Sequence, residues 1–148
     1  MHRAPSSLYG VGVRFVAPLV AAATLLPAAG AASTSPSFSF GRVGGNIAPF
    51  TVSIAADGAV SSSGPVRLVD PDRVVQAKSR AALLATASRQ GFFSLPRRVR
   101  CTDTLPDVAG EFVTVRTGPI QKTVTVRGHC RPGFEKLYTA LSRAAGVR

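Results

Sequence analysis

The chain is poor in the residue types that carry most enzyme and metal chemistry. It contains two cysteines, two histidines, one methionine and no tryptophan in 148 residues. The cysteines have no CxxC spacing, and beyond the N-terminal segment His129 is the sole histidine, which leaves a structural zinc site short of ligands. The missing tryptophan, with aromatics that are mostly phenylalanines in apolar settings, argues against a base-stacking surface for nucleic acid. We therefore predict no metal, no cofactor and no specific nucleic-acid partner.

Acidic residues and lysines are also scarce. Seven acidic residues stand against 18 basic ones, and only three of these are lysines, which gives a net charge of +11. Such an excess attracts anionic surfaces over a long range, although a GC-rich coding bias explains the same arginine-rich composition. The arginines are dispersed, and their one dense cluster is Arg97, Arg98 and Arg100. We expect weak, nearly position-independent association with anionic surfaces.

No apolar run is long enough for a membrane span of ~20 residues. The longest apolar segment, residues 15–26, follows Arg3 and Arg14 and leads to the small residues Ala29, Gly30 and Ala31. This arrangement is typical of a secretory signal peptide. We predict a signal peptide at 1–31 and a product that is secreted or cell-wall associated, with no transmembrane segment after processing. The alternative is a membrane anchor.

Export would place both cysteines in an oxidising compartment, where disulfides persist. A bond between Cys101 and Cys130 would close a loop of about 30 residues and stabilise the domain by ~3.5 kcal/mol. We predict this disulfide, which would tie the start of a polar loop to the start of the last helix. A metal half-site or a redox pair is the alternative interpretation.

The remaining residues predict one α+β domain at 37–148, after a flexible lead at 32–36. In its first half, alternating apolar and polar residues and the turn at Asp57-Gly58 indicate strands. The predicted strands are 37–40, Phe50–Ile54, 59–62 and 66–69. Val74 and Val75 could either continue the last of these strands or begin a helix. A helix is expected at 80–90, with Ser79 as its N-cap and Gly91 just after its end.

The second half repeats this order. Residues 112–116 and 122–127 alternate as strands around a turn at Gly118-Pro119. The apolar residues of 134–141 follow helical spacing. Strands, helix, strands, helix predict an antiparallel sheet with both helices packed on one face. The expected core comprises Val113, Val115, Val124, Val126, Phe134, Leu137 and Leu141.

The segment that follows Cys101 is the most unusual stretch of the chain. It is pinned by the expected disulfide and stiffened by Pro106, and pinned polar loops often carry specificity. Its candidate binding residues are Thr102, Asp103, Asp107 and Glu111. The alternative is that the segment merely connects two elements. The carboxylates lack the dense spacing of a calcium loop, and His129 has no fixed nucleophile or orienting carboxylate, so we predict no catalytic residues.

Several short motifs occur together in this chain. They are Asp57-Gly58, Gly91-Phe92-Phe93-Ser94-Leu95-Pro96, Cys101, Leu105-Pro106-Asp107, Val124-Thr125-Val126-Arg127-Gly128-His129-Cys130 and the closing Phe134-to-Leu141 helix. Over roughly residues 38–145 they resemble small exported domains of unknown function found mainly in actinobacteria. The resemblance implies export and a paired disulfide, and it assigns no catalytic residues.

The leading functional hypothesis is an exported, disulfide-bonded, non-enzymatic domain that binds an envelope or extracellular partner. The first alternative is a secreted peptidase inhibitor, whose reactive segment would be 102–106. The second is a small cell-wall-acting hydrolase. That alternative requires a concave pocket in which His129 lies near Asp103, Asp107 or Glu111.

Overall fold

The computed structural model describes residues 35–148 of the chain. Its strands form one six-stranded sheet in the order β3-β2-β1-β5-β6-β4. The strands are β1 (Ser37–Val43), β2 (Phe50–Ile54), β3 (Val60–Ser63), β4 (Arg98–Arg100), β5 (Gly110–Thr117) and β6 (Ile120–Arg127). Every neighbouring pair is antiparallel except β4 and β6, which run parallel. The α+β class is confirmed, with a sheet that is mostly antiparallel.

Two helices complete the fold, α1 (Ala77–Arg89) and α2 (Pro132–Ala145), with a short 3-10 helix at Phe92–Ser94. The helices pack on one another, and α2 also contacts β1. Leu83 and Ala87 of α1 and Leu137 and Leu141 of α2 belong to one buried cluster with the sheet. The apolar face of each helix is therefore buried against the same core.

Alternation along the strands divides the sheet into a buried and an uncovered face. The register places Phe40 beside Val52 and Val113, and Val113 beside Val124, all four fully buried. All seven residues of the expected core are buried. The intervening side chains, mainly serine, threonine and arginine, lie on the opposite face.

Both predicted turns are present, and the predicted helix stop is correct. Gly58 has φ of 98° in the β2–β3 turn, and Gly118 joins β5 to β6 with φ of 52°. Gly91, just beyond the end of α1, has φ of 69°. These positive φ values are the conformations for which glycine is preferred.

Two local predictions are wrong, and the sheet departs from an antiparallel arrangement at one edge. Residues 66–69 form no sheet strand, because Leu68 bridges Val147 and the Val69 N–H donates to the Gly146 carbonyl, which pairs the segment with the chain after α2. Ser79 is not the N-cap, since α1 begins at Ala77 after Gln76. The sheet is not purely antiparallel, because β4 joins its edge parallel to β6.

Val74 and Val75 turn out to lie in an irregular segment before α1. Val74 forms an isolated bridge with Ala59, and the N–H of the buried Val75 donates to the Gly58 carbonyl at 2.8 Å.

Cys101 and Cys130 form the predicted disulfide, with their Cα atoms 5.7 Å apart. The bond joins the residue after β4 to the residue two before α2, and it lies at one end of the sheet. No helix within residues 35–148 is long and apolar enough to cross a membrane. The predicted signal peptide and residues 32–34 of the predicted lead fall outside the described residues.

Candidate functional site

One cleft on the uncovered face gathers arginines from two neighbouring strands. It encloses about 520 Å³ and is lined by Val43, Arg98, Val99, Arg100, Thr125 and Arg127. We call it the arginine cleft. Arg98 and Arg100 are exposed on β4, and Arg127 is half-buried at the end of β6. Since side chains at i and i+2 share a face, β4 presents both of its arginines to the cleft while Val99 enters the core.

Glycines shape the space beneath Arg127. A Cβ added at Gly110 would lie 3.3 Å from Arg127 Cγ and 2.9 Å from Thr125 Cγ2. A Cβ added at Gly44 would lie 3.2 Å from Arg127 Nη2. The side chain of Arg127 therefore extends across Gly110 toward Gly44, and the missing side chain at 110 leaves room for it.

The arginines of the cleft lack acidic partners. Among the described residues the ion pairs are Arg42–Glu111 and His129–Glu135, and neither includes Arg98, Arg100 or Arg127. No carboxylate lines the cleft. Arg100 and Arg127 are register partners across β4 and β6, but the side chain of Arg127 extends away from β4, across Gly110.

The predicted basic cluster is only partly assembled. Arg97 does not line the arginine cleft, and its carbonyl accepts a hydrogen bond from the Thr125 N–H at 2.9 Å. Arg127, which is 30 residues after Arg97, lines the cleft in its place. The strand alternation of 122–127 indicates that Arg127 and Thr125 share a face, but the sequence does not show that β4 lies next to β6.

The predicted binding loop does not bring its four residues together. Thr102 and Asp103 line a second cleft beside the disulfide, of about 580 Å³. The Asp107 carboxylate instead accepts a hydrogen bond from Asn46 Nδ2 at 3.0 Å. Glu111 lies on the helix-covered side of β5 and pairs with Arg42 at 3.3 Å.

His129 lines the same disulfide cleft as Asp103. Its Nδ1 lies 3.6 Å from Glu135 Oε1, and its side chain is 81 % exposed. A contact between side chains this exposed to solvent contributes little to stability. His129 and Asp103 thus line one cleft, but the imidazole is exposed to solvent and its acidic contact is Glu135 rather than Asp103, Asp107 or Glu111.

A polar cluster lies where α2 crosses the end of the sheet. The Tyr138 hydroxyl is buried and makes no hydrogen bond to any described residue. Its burial raises its pKa to about 12, the Glu111 carboxylate adds to this rise, and Arg42 opposes it. The Tyr138 ring packs edge-on against Phe40 with centroids 5.5 Å apart.

No protein-family model matches this sequence, and neither a search of curated proteins nor a search of solved structures finds a significant match.

Proposed function

We propose that this chain is an exported, disulfide-bonded domain without a reaction of its own, which binds an anionic ligand in the arginine cleft. The observation that carries the proposal is the convergence of Arg98, Arg100 and Arg127 on one concave surface without a carboxylate among its lining residues. A guanidinium group presents a planar fork of donors that matches phosphate and carboxylate oxygens.

The electrostatics of the cleft support this proposal. Arg98, Arg100 and Arg127 all line the cleft, and no carboxylate among its lining residues competes with a bound anion for them. Export is supported by the predicted leader and is compatible with the Cys101–Cys130 disulfide.

One observation favours the peptidase inhibitor as a second candidate. Leu105 is 67 % exposed in a loop that the disulfide and the hydrogen bond from Thr104 Oγ1 to the Arg127 carbonyl hold in place. An inhibitory loop must offer an extended, substrate-like backbone to a peptidase. Here turns flank Leu105 at 102–103 and 106–107, and Asp103 has φ of 61°. An inhibitor would therefore require this loop to change its backbone conformation, whereas anion binding in the arginine cleft requires no such change. We therefore prefer anion binding.

Calorimetric titration with inorganic polyphosphate tests the proposal. The full chain is expressed with export, purified without reductant and compared with the triple variant R98Q/R100Q/R127Q. The matched control, R67Q/R89Q/R143Q, removes three exposed arginines outside the sheet and has the same net charge.

We expect the cleft variant to bind at least about tenfold more weakly, equivalent to ~1.4 kcal/mol, and the control to stay within about twofold of the wild type. Equal losses in the two variants would show that the charge acts as a diffuse field, and would refute the proposal. Thermal unfolding of all three proteins verifies that they are folded.

A further inference from the structure

The uncovered face carries an unbroken row of hydroxyl groups next to the arginine cleft. Successive register partners across five strands are all serine or threonine: Thr123, Thr114, Ser39, Ser53 and Ser61. At a strand spacing of ~4.8 Å, the row extends over about 19 Å. Thr114 Oγ1 and Thr123 Oγ1 are 2.8 Å apart, and Ser53 Oγ donates to Ser39 Oγ at 3.3 Å. We call this line of side chains the hydroxyl row.

A second line of register partners connects the hydroxyl row with the cleft. It runs from Arg98 through Thr125, Phe112 and Gly41 to Thr51. Phe112 is half-buried, and it is the aromatic side chain of this face. Its register partner Gly41 has no side chain, and the backbone of Phe50 and Thr51 occupies the space where a Cβ would stand. The face thus combines hydroxyls, one aromatic ring and, at one end, three cations.

These side chains match the chemistry of a sugar chain that bears phosphate groups. Each hydroxyl both donates and accepts hydrogen bonds, as sugar hydroxyls do. An aromatic ring supplies an apolar surface for the C–H face of a pyranose. The arginines supply charge-assisted donors for phosphate oxygens. A hydroxyl row alone would bind weakly because each bond replaces one to water, whereas the cleft adds electrostatic attraction.

We propose that the uncovered face binds a phosphate-bearing glycan, with a phosphate in the arginine cleft and the sugars along the hydroxyl row. This inference rests on the proposed function, because it requires the cleft to bind an anion. In this proposal the hydroxyl row distinguishes a sugar chain from other polyanions, and the arginines attract the phosphate and supply most of the affinity.

Two other polyanions fit the surface less well. A membrane surface would favour several exposed apolar side chains beside the cations, whereas Val43 is the one exposed large apolar residue among those that line the cleft, and Ile47 and Leu105 lie on loops. A single-stranded nucleic acid would favour several aromatic rings on which successive bases stack, and Phe112 is the one ring that alternation places among these rows.

Four probes separate these possibilities, all compared at equal phosphate concentration where they carry phosphate. They are dextran phosphate, neutral dextran, inorganic polyphosphate and phosphatidylglycerol vesicles. Each is titrated with the full chain, the cleft variant R98Q/R100Q/R127Q and the row variant S39A/T114V/T123V. The control for the row variant is S79A/S88A/T139V, which removes three exposed hydroxyls from the helices.

We expect dextran phosphate to bind more tightly than polyphosphate, and neutral dextran to bind at least about tenfold more weakly than its phosphorylated form. The row variant should weaken dextran phosphate about fivefold, and leave polyphosphate within about twofold, because it keeps the arginines. The helix control should match the wild type with both probes.

Equal binding of dextran phosphate by the wild type and the row variant would overturn the glycan assignment, as would tighter binding of the vesicles. Tight binding of neutral dextran would overturn the need for phosphate. None of these results would contradict anion binding in the arginine cleft. Failure of the proposed function has a separate signature, which is unchanged polyphosphate affinity in the cleft variant.

Discussion

The pKa of Tyr138 depends on the burial of its hydroxyl and on the charges around it. Its hydroxyl is removed from solvent and unbonded to any described residue, and burial near Glu111 raises its pKa to about 12. The ordinary value near 10 applies to the unfolded chain. Unfolding therefore makes ionisation easier, and the protein loses stability as alkaline pH deprotonates the unfolded state.

We predict that the free energy of unfolding falls between about pH 10 and pH 12, and that Tyr138→Phe reduces this fall. The contribution is fully present below pH 10 and is lost as pH rises toward the folded-state pKa. Denaturant unfolding at a series of pH values measures the effect in both proteins. Identical pH dependence in the wild type and the variant would contradict the burial of this hydroxyl.

Arg100 provides a test of charge repulsion in the cleft, whose arginines have no carboxylate among the lining residues. Without a bound anion, Arg100→Gln removes one of two like charges on neighbouring strands. We predict that it raises the free energy of unfolding by ~0.2–1 kcal/mol at low ionic strength. Added salt should shrink the gain, because ions screen exposed charges. A loss of stability in the variant at low salt would show that the two arginines do not oppose folding.

At the scale of elements, the disulfide secures the strand that carries two of the cleft arginines. Strand β4 has three residues, pairs only with β6 and leads directly into Cys101. Cys130 follows the end of β6 by three residues. The bond thus holds together the two strands whose arginines line the cleft, and it limits how far β4 can separate from β6.

We predict that C101A/C130A lowers the free energy of unfolding by ~2–4 kcal/mol. It should also weaken polyphosphate binding several-fold at a temperature where circular dichroism shows the variant folded, because the three-residue β4 detaches more readily. Denaturant unfolding and calorimetry give the two values. Unchanged polyphosphate affinity in the folded variant would show that the arginine cleft does not depend on the disulfide.

Helix α2 is the element that covers the sheet most directly. Leu137 is fully buried in its apolar face, together with Phe134 and Leu141. We predict that Leu137→Ala lowers the free energy of unfolding by ~2–5 kcal/mol, the range for a buried leucine. Lys136→Ala, on the exposed side of the same helix, is the control. A loss below ~0.5 kcal/mol would mean that the helix does not depend on this contact.

Elements with strong periodicity were predictable from sequence, and those formed by long-range pairing were not. Strands β5 and β6 contain the alternating segments 112–116 and 122–127, and the apolar spacing of α2 is regular. By contrast, β4 is a three-residue Arg-Val-Arg segment that becomes a strand only because β6 lies next to it. Residues 66–69 have strand-like composition, yet Leu68 bridges Val147 and the Val69 N–H donates to the Gly146 carbonyl, so the segment pairs with the chain after α2 and not with the sheet.

The candidate site follows the same division. The sequence identifies Arg98 and Arg100 as a cluster and places Thr125 and Arg127 on one face of a strand. The arginine cleft arises because the parallel pairing of β4 with β6 combines these two facts. The loop residues Asp107 and Glu111 were grouped by closeness in sequence, but Asn46 and Arg42 draw them to different surfaces.

At the scale of the whole molecule, the net charge and the fold act together. Both helices cover one face of the sheet and leave the other with hydroxyl and arginine side chains. The +11 charge of the chain gives a field that attracts anions from a distance. A field of dispersed arginines gives an anion no preferred position, whereas Arg98, Arg100 and Arg127 all line one cleft. The position of a bound anion therefore shows whether it is attracted by the dispersed positive charge or bound in the arginine cleft.

Titration of the ¹⁵N-labelled protein with pyrophosphate, followed by backbone amide shifts, measures this localisation directly. Our account predicts saturable shifts concentrated in β4, at Gly110 and at residues 125–127, and their loss in R98Q/R100Q/R127Q. Shifts that do not saturate and that spread over Arg67, Arg89 and Arg143 would contradict it, since they would show that the anion samples the general positive field.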